Sequence, residues 1–294
     1  MADQAEGLRA LARRVRPHRL SVVRSASDPT VAGRVIAFAG GRAGVGVTTI
    51  LANLGVLLAR AGRRVLLLDG DAGVPNAHML LGVRPSAHLG QVLRGDARPE
   101  DIASAAAPNL AIAACSLGEA CMMPLAESVA RQVLASMAAR AEVVLVDTGH
   151  NSAALSRVLA GIPTDFVVVA TPEPAAIADT YAALRLAARI HPYTPLSVLV
   201  NMATSQREAE TVANRLSAVT SRFLHFRPRC LGCVPVDTVV TTSVGVRTPF
   251  VTSSADAAAT RALARVAHQI APLTPSAFVA DSVRGRQARV VHAA

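Results

Sequence analysis

The stretch Gly40-Gly41-Arg42-Ala43-Gly44-Val45-Gly46-Val47-Thr48-Thr49 decides the fold of this chain. A short apolar run comes directly before it, and a helical pattern follows it. Three of its residues, Gly41, Gly46 and Thr48, match the spacing G-x-x-x-x-G-K-[ST] of a phosphate-binding loop. Glycines allow backbone N–H groups to turn inward, and a helix N-terminus adds positive potential. The stretch therefore predicts a strand, a phosphate-binding loop and a helix in succession.

The loop departs from this pattern at one residue, because Val47 stands where the pattern has lysine. The chain contains no lysine, and its 30 basic residues are all arginine. A bias against lysine would place arginine at this position, so the bias does not account for valine. In phosphate loops this cation contacts the β- and γ-phosphates and neutralises charge that develops during phosphoryl transfer. We therefore expect weakened nucleotide binding and weak or absent hydrolysis.

Apolar runs and helical stretches alternate after the loop. Runs typical of buried parallel strands lie at 34–40, 63–69, 110–115, 142–147, 165–171 and 196–201, and helical stretches lie at 47–61, 124–140, 174–190, 206–223 and 255–271. Strands that alternate with helices predict a parallel sheet that is covered on both faces. The predicted fold class is therefore α/β, with a single doubly wound, mostly parallel sheet over 33–273.

The composition limits the classes of function. Of the 294 residues, 51% are hydrophobic, 17% are charged and 3% are aromatic. This composition excludes wholesale disorder and argues against an aromatic stacking platform for single-stranded nucleic acid. Apolar runs fall short of the ~20 residues that span a bilayer, and four cysteines do not make a disulfide framework. We expect a reduced, cytoplasmic protein, whose net charge of +10 selects no particular class of partner.

Two further segments flank the predicted domain. Residues 1–16 have an amphipathic pattern in which Leu8, Leu11 and Val15 share one helical face, and 17–32 has the composition of a linker. An amphipathic helix on a linker predicts a segment that folds on a partner. The segment 274–294 is basic, and we expect a disordered tail there, with a membrane-surface segment as the alternative.

The loop and the motifs after it resemble the MinD/ParA group of deviant-Walker ATPases. In that group an early signature lysine crosses a dimer interface to the partner's nucleotide, and Arg42 holds its position here. The resemblance implies ATP or ADP with Mg²⁺ as cofactors and a nucleotide-dependent homodimer. The implied nucleotide-binding positions are Gly41, Gly44, Val45, Gly46, Val47, Thr48 and Thr49 in the loop, with Asn201, Pro235 and Asp237 on the adenine side.

The resemblance also assigns roles to carboxylates that follow two of the strands. The segment 65–83 is similar to the group's D-x-D switch segment, so Asp71 would position the attacking water and Asp69 would lie near Mg²⁺. Asp147 matches the second Mg²⁺-related carboxylate, and Thr48 would reach the metal ion as well. Carboxylates at the carboxyl ends of parallel strands lie where such sheets bind ligands.

Two finer motifs resemble one branch of this group, the flagellar-number regulators called FlhG or FleN. The segment 167–186 contains T-P-E-P-x-x-x-x-D-x-Y, and residues 3–9 read D-Q-A-E-G-L-R. The resemblance implies that the N-terminal helix, through Asp3, Gln4, Leu8 and Arg9, binds an FlhF-like GTPase and that Gln4 stimulates GTP hydrolysis. It also implies flagellar switch or transcription-regulator proteins as partners. Some relatives dock on membranes by a C-terminal amphipathic helix, so a peripheral position at the inner face of the membrane is the alternative to a purely cytoplasmic one.

Two other functions remain open at this point. A ParA-like DNA-partitioning ATPase would suit the positive charge, although D-Q-A-E-G-L-R and T-P-E-P argue against it and we do not expect nucleic acid as a partner. An iron–sulfur carrier ATPase would use Cys230 and Cys233. Because residues three apart in regular extended chain point to opposite faces, we expect these two cysteines to be buried structural thiols instead.

Overall fold

The computed structural model describes residues 34–71, 76–115, 124–150, 159 and 162–271. The predicted partner-binding helix 1–16, the linker 17–32 and the basic tail 274–294 lie outside these residues. Among the described helices, none is long and apolar enough to cross a membrane.

The described residues form one eight-stranded sheet with the spatial order β3-β4-β2-β5-β1-β6-β7-β8. Its strands are β1 (Arg34–Gly40), β2 (Val65–Asp69), β3 (Ala103–Ala107), β4 (Leu110–Ala114), β5 (Val143–His150), β6 (Asp165–Ala170), β7 (Leu196–Ala203) and β8 (Arg229–Pro235). All neighbouring pairs are parallel except β3 with β4. The carboxyl ends of β1, β2 and β5 therefore meet at one edge of the sheet, where ligands bind in such folds.

Helices cover both faces of this sheet. They are α1 (Val47–Arg60), α2 (Ala77–Leu80), α3 (Leu89–Arg94), α4 (Pro124–Ala138), α5 (Pro174–Ile190), α6 (Gln206–Leu224), α7 (Thr238–Gly245), α8 (Phe250–Ser253) and α9 (Ala258–Ile270), with a 3₁₀ turn at Pro99–Ile102. One hydrophobic cluster contains side chains of α3, α4, α5 and α6, and a second contains side chains of α1, α8 and α9. The predicted doubly wound α/β architecture is therefore confirmed.

Strand β1 illustrates why the sequence forms a sheet buried on both sides. Successive side chains of a strand point to opposite faces. Accordingly Val35 and Ala37 belong to one cluster, whereas Ile36 and Phe38 belong to the other, and all four are buried. An uninterrupted apolar run is what a central strand of this kind requires.

Two strands lie outside the predicted apolar runs, although the sequence analysis expected extended chain at Cys230 and Cys233, within β8. The Ala-rich β3 pairs antiparallel with β4 at one edge of the sheet, and its exposed and half-buried residues alternate. Strand β8 lies at the other edge and contains Gly232 and Pro235, two residues that weaken a strand pattern. Both strands form because each finds a neighbour in the sheet, which local sequence does not encode.

Candidate functional site

The glycine-rich loop lies between the carboxyl end of β1 and the first turn of α1. Gly44 and Gly46 have φ angles of 82° and 90°, a region that side chains with a Cβ rarely adopt. A Cβ at Gly46 would also lie 2.5 Å from Nδ2 of Asn201. The loop therefore has the backbone and the helix N-terminus that anion binding requires, as the sequence predicts.

The hydroxyl of Thr48 joins the loop to the end of β5. Its Oγ1 donates a 2.6 Å hydrogen bond to Oδ2 of Asp147, whose Oδ1 accepts a 2.8 Å bond from the backbone N–H of Gly149. Asp147 is fully buried, and burial raises its pKa from 3.8 to about 6, although these two hydrogen bonds oppose the shift. A hydroxyl and a carboxylate held together in this way are oxygen ligands of the kind that Mg²⁺ takes.

A second carboxylate lies next to Asp147, because Asp69 is its partner in the register of β2 and β5. Oδ2 of Asp69 accepts a 2.9 Å hydrogen bond from the backbone N–H of Ala77. Among the described residues, Oδ1 of this fully buried side chain has no hydrogen-bond partner. Burial raises the pKa of Asp69 to about 6. An unsatisfied buried carboxylate oxygen is expensive unless a cation or water completes it, so the pair fits a metal–nucleotide site.

A cavity of about 790 Å³ lies at the loop, and most of the predicted site residues line it. Its volume lies in the range typical of small-molecule and cofactor sites. The predicted residues that line it are Arg42, Gly44, Val45, Gly46, Val47, Thr48, Thr49, Asp71, Asp147 and Asn201. Of the other predicted residues on the phosphate, metal and adenine sides, Gly41, Asp69 and Asp237 are not part of this lining, and Pro235 lines a smaller cavity of about 220 Å³.

Val47, at the lysine position, contacts both the cavity and the hydrophobic core. It lines the cavity, yet the residue is only 7% exposed and belongs to the core cluster that also contains α1. The side chain thus packs the loop onto the core and brings no charge to the cavity. This placement agrees with the expected weakening of phosphate binding, since the loop keeps its backbone N–H groups but lacks the point charge.

The predicted adenine-side residues have distinct structural partners. Nδ2 of Asn201 donates a 2.8 Å hydrogen bond to the carbonyl of Val45, so β7 supports the phosphate loop directly. The carboxylate of Asp237 accepts bonds from the backbone N–H groups of Val239 and Ala259, at 3.2 and 3.1 Å. Asp237 therefore caps α7 and joins it to α9, a role that its position just before a helix permits.

The phosphate loop and the T-P-E-P segment come together in space. Nη1 of Arg42 lies 3.1 Å from Oε2 of Glu173, and both side chains are substantially exposed. A Cβ at Gly41 would overlap the backbone of α5 at Asp179 and would lie 2.5 Å from the nitrogen of Thr180. Because β1 and β6 are neighbours, two motifs that are about 130 residues apart in sequence form one surface.

Sequence reasoning missed a further set of residues that line the cavity. They are Asn76, Met79, Leu80, His150, Met202, Val234, Val240, Thr241, Val244, Arg247 and Phe250. Most belong to short helices or connections without the long periodicity that identifies a helix from sequence. The sequence signal that could have helped is Pro249, which indicates a turn between the segments that form α7 and α8.

The expectation of buried structural thiols at Cys230 and Cys233 is wrong. Cys230 is exposed and Cys233 is half-buried. The register pairs Val198 with Cys230 and Val200 with Cys233, so Leu231 and Gly232 together oppose the single residue Leu199. This is a β-bulge, which the argument from a regular strand did not include.

Metal binding by carboxylate, histidine and cysteine side chains alone would need several of them in one place. Within the ranges that the structure describes, no three such side chains lie close enough together to hold a metal ion. Magnesium commonly uses one or two protein groups together with substrate phosphates rather than an all-protein cage. The arrangement of Thr48, Asp69 and Asp147 fits that mode.

Comparison with known proteins gives the same picture. The family model for the CobQ/CobB/MinD/ParA nucleotide binding domain matches residues 36–250. The antiactivator FleN of Pseudomonas aeruginosa is 34% identical over 216 residues, which cover 72% of this chain and 76% of that protein. The flagellum site-determining protein YlxH of Helicobacter pylori is 28% identical over 193 residues, which cover 63% of this chain and 64% of that protein.

Solved structures support the fold independently. The septum site-determining protein MinD of Pyrococcus horikoshii, complexed with Mg-ADP, superposes with a TM-score of 0.64 at 24% identity, covering 82% of this chain and 97% of that chain. At this identity the similarity shows the fold alone. Together with the sequence matches, it confirms the resemblance that the loop and the T-P-E-P motif indicate.

Proposed function

Since the chain belongs to the CobQ/CobB/MinD/ParA nucleotide-binding family, in its flagellar-regulator branch, we propose that it regulates the number or placement of flagella. In this proposal it acts as a switch or scaffold that binds Mg·ATP or Mg·ADP weakly and turns ATP over slowly. Its principal partner is a GTPase of the FlhF type, and flagellar switch or transcription-regulator proteins are further partners.

One observation carries the nucleotide part of the proposal. The hydroxyl of Thr48, bonded to the buried Asp147, faces the same cavity as the positive-φ glycine loop. Asp69, whose Oδ1 has no hydrogen-bond partner among the described residues, is the register partner of Asp147 on the neighbouring strand. The glycine loop would bind phosphates, and the hydroxyl and carboxylate oxygens would bind a divalent cation that neutralises the phosphate charge.

The roles of the chain's own residues follow from their positions. The loop N–H groups bind phosphate oxygens, Thr48 and Asp147 hold Mg²⁺ or its waters, and Asp71 at the cavity wall orients a water molecule. Bound Mg²⁺ supplies charge neutralisation at the phosphates. Without the lysine, charge that develops in the transition state is less stabilised, which lowers the rate more than it lowers binding.

The partner part of the proposal rests on residues 1–16, where Gln4 would enter the active site of the GTPase and orient a water, as glutamines do in other GTPases. Leu8 would bury its side chain in the partner's groove. A peptide of residues 1–20 should therefore stimulate GTP hydrolysis by its cognate FlhF-like GTPase without any ATP. Gln4→Ala should reduce stimulation more than binding, and Leu8→Asp should abolish binding, because a charge would enter an apolar contact.

In the cellular test, the gene for this chain is deleted from its own bacterium and variants are reintroduced. Flagella per cell are then counted by electron microscopy. Deletion should change the number or position of flagella, and the intact chain should restore it. Gln4→Ala should restore it poorly, whereas Asn214→Ala, at an exposed position of α6, serves as a surface control. Unchanged flagellation after deletion would refute the proposal.

The two alternative functions make different predictions. A DNA-partitioning protein would bind non-specific duplex DNA with an affinity that falls steeply as salt rises. An iron–sulfur carrier would purify with bound iron and visible colour. We expect a colourless protein whose affinity for DNA is negligible at physiological salt.

A further inference from the structure

Strand β8 carries two cysteines whose positions follow from the bulge at its centre. Val198 and Val200 are two residues apart on β7 and point to the same face of the sheet. Their register partners, Cys230 and Cys233, consequently share a face too, although they are three residues apart. The burial pattern agrees, because Leu231 and Val234 are both buried in the cluster on the opposite face.

The two cysteines are also close along the strand. Two strand residues that are separated by one other lie about 6.6 Å apart at a rise of about 3.3 Å per residue. Val198 and Val200 have this spacing, so the register places the Cα atoms of Cys230 and Cys233 near the upper end of the range of about 4.4 to 6.8 Å that disulfides span. Disulfides also require Cβ atoms about 3.5 to 4.5 Å apart, so bond formation needs a backbone shift at Gly232 that brings the two cysteines closer. Burial is the main cause that raises the pKa of Cys233, Arg265 opposes the shift, and the charge of a Cys230 thiolate adds to it, which agrees with two thiols that are near one another.

The surroundings leave both thiols accessible and the backbone adaptable. Cys230 is exposed, and Sγ of the half-buried Cys233 lies 3.2 Å from Oε1 of Gln206, to which it donates. Strand β8 is at the edge of the sheet and pairs with β7 alone among the described strands. Gly232, between the cysteines, has a φ of 116°, and a Cβ there would meet no atom within 4 Å.

From this arrangement we propose that Cys230 and Cys233 form a reversible intramolecular disulfide, so that the chain responds to the thiol–disulfide balance of its surroundings. The oxidant is a small-molecule disulfide such as oxidised glutathione. The proposal concerns a site remote from the phosphate loop and does not depend on nucleotide binding or flagellar regulation.

The reaction proceeds by two thiol–disulfide exchanges. The Cys230 thiolate attacks one sulfur of the small disulfide, which forms a mixed disulfide and releases one small thiolate. The Cys233 thiolate then attacks the Cys230 sulfur, which forms the Cys230–Cys233 bond and releases the second small thiolate. The two protons from the cysteine thiols pass to the two released thiolates, so one disulfide is consumed and two small thiols are produced.

A single tryptic peptide tests the proposal. Cleavage after Arg229 and Arg247 gives the peptide 230–247, which contains Cys230 and Cys233 and neither of the chain's other two cysteines. The full chain is reduced, incubated with oxidised glutathione, alkylated and digested. We expect this peptide to resist alkylation and to have lost two hydrogen atoms, and dithiothreitol should restore two alkylatable thiols.

Single-thiol variants provide the controls. Cys233→Ser should stop at the mixed disulfide of Cys230 with glutathione, because it lacks the second thiol. Gly232→Ala should raise the ratio of oxidised to reduced glutathione needed for half-oxidation by about tenfold, since alanine disfavours the positive φ that shapes the bulge. Stable glutathione adducts on both cysteines of the unaltered chain would overturn the proposal. Disulfide-linked dimers through Cys230 in place of the internal bond would overturn it as well.

Discussion

The hydroxyl of Thr48 donates a 2.6 Å hydrogen bond to the carboxylate of Asp147, and this contact joins the phosphate loop to the neighbouring strand β5. It holds an oxygen pair at the wall of the cavity where a phosphate-bound Mg²⁺ would require ligands. The contact couples the position of the loop to that of Asp147 through one side chain. It does not involve the side chain of Val47, so the substitution of the loop lysine leaves these two oxygen groups in place.

The raised pKa values of Asp69 and Asp147 predict an unusual dependence on pH. Both carboxyls titrate at about 6 in the folded chain, compared with 3.8 normally, because both are buried. We expect the affinity for Mg·ADP to fall as the pH drops through 6, since Mg²⁺ competes with protons for these groups. Calorimetric titrations at pH 7.5, 6.0 and 5.0 measure the effect. ADP without Mg²⁺ is the control at each pH, and a parallel loss without the metal would contradict this assignment.

The same shifts predict how pH affects the stability of the nucleotide-free chain. Between about pH 4 and 6 the folded state binds more protons at these carboxyls than the unfolded state does. Their contribution to the free energy of unfolding therefore rises as the pH falls from about 6 to about 4. Asp69→Asn, which removes a buried charge, should raise the melting temperature at pH 7.5 and reduce the gain at pH 5. A lower melting temperature for this variant at pH 7.5 would contradict the burial argument.

The ion pair between Arg42 and Glu173 predicts how the signature position behaves on dimerisation. Exposed pairs of this kind contribute only about 0 to 1 kcal/mol, so Arg42 can leave Glu173 for a partner's phosphates at little cost. Arg42→Ala should weaken the nucleotide-dependent dimer at least tenfold in sedimentation velocity. Glu173→Gln, which removes the competing carboxylate, should leave the dimer equal or slightly stronger. Identical sedimentation of the unaltered chain and Arg42→Ala would show that Arg42 has no such role.

The close approach of Gly41 to α5 predicts a strong effect from a single methyl group. Alanine at this position would overlap the backbone of α5 at Asp179, and a backbone cannot rotate away as a side chain can. We expect Gly41→Ala to lower the free energy of unfolding by about 2 kcal/mol or more. Gly245→Ala is the matched control, because its added Cβ would meet no atom within 4 Å. Equal stability of the two variants in urea unfolding would mean that the loop and α5 are not in contact.

The valine of the loop predicts slow turnover. Loss of a cation that stabilises transition-state charge costs several kcal/mol, and each ~1.4 kcal/mol is a tenfold change in rate. Phosphate release from Mg·ATP by the unaltered chain should therefore be at least a hundredfold slower than by lysine-bearing relatives. A comparable turnover that Asp71→Ala abolishes would show that another group replaces the lysine.

The sequence predicted the parts of the site that are local. A strand, a glycine loop and a helix are adjacent in the chain, and the spacing of Gly41, Gly46 and Thr48 identifies the loop from local sequence alone. The carboxylates Asp69 and Asp147 could be placed near the loop because the carboxyl ends of parallel strands meet at one edge. These predictions required only that the strands be parallel, and not the order in which they lie in the sheet.

Contacts between distant segments could not be predicted in the same way. The overlap that forces glycine at position 41 depends on how closely α5 packs, and the Arg42–Glu173 pair depends on two exposed rotamers. The bulge in β8 arises from its pairing with β7, so a regular-strand argument put Cys230 and Cys233 on opposite faces. In each case the deciding information lies in tertiary packing, which overrides local pattern.

Calorimetric titration with Mg·ADP, comparing the unaltered chain with Val47→Lys, tests the central claim most directly. We predict that one nucleotide binds per unaltered chain with weak affinity. Val47→Lys should bind at least tenfold more tightly, because it restores the missing charge to a cavity that the glycine loop, Thr48 and Asp147 already line. Val47→Met introduces a long side chain, as Val47→Lys does, but no charge, and it should bind Mg·ADP as weakly as the unaltered chain. Absence of binding by both the unaltered chain and Val47→Lys, with both folded, would contradict the assignment of this cavity as a nucleotide site.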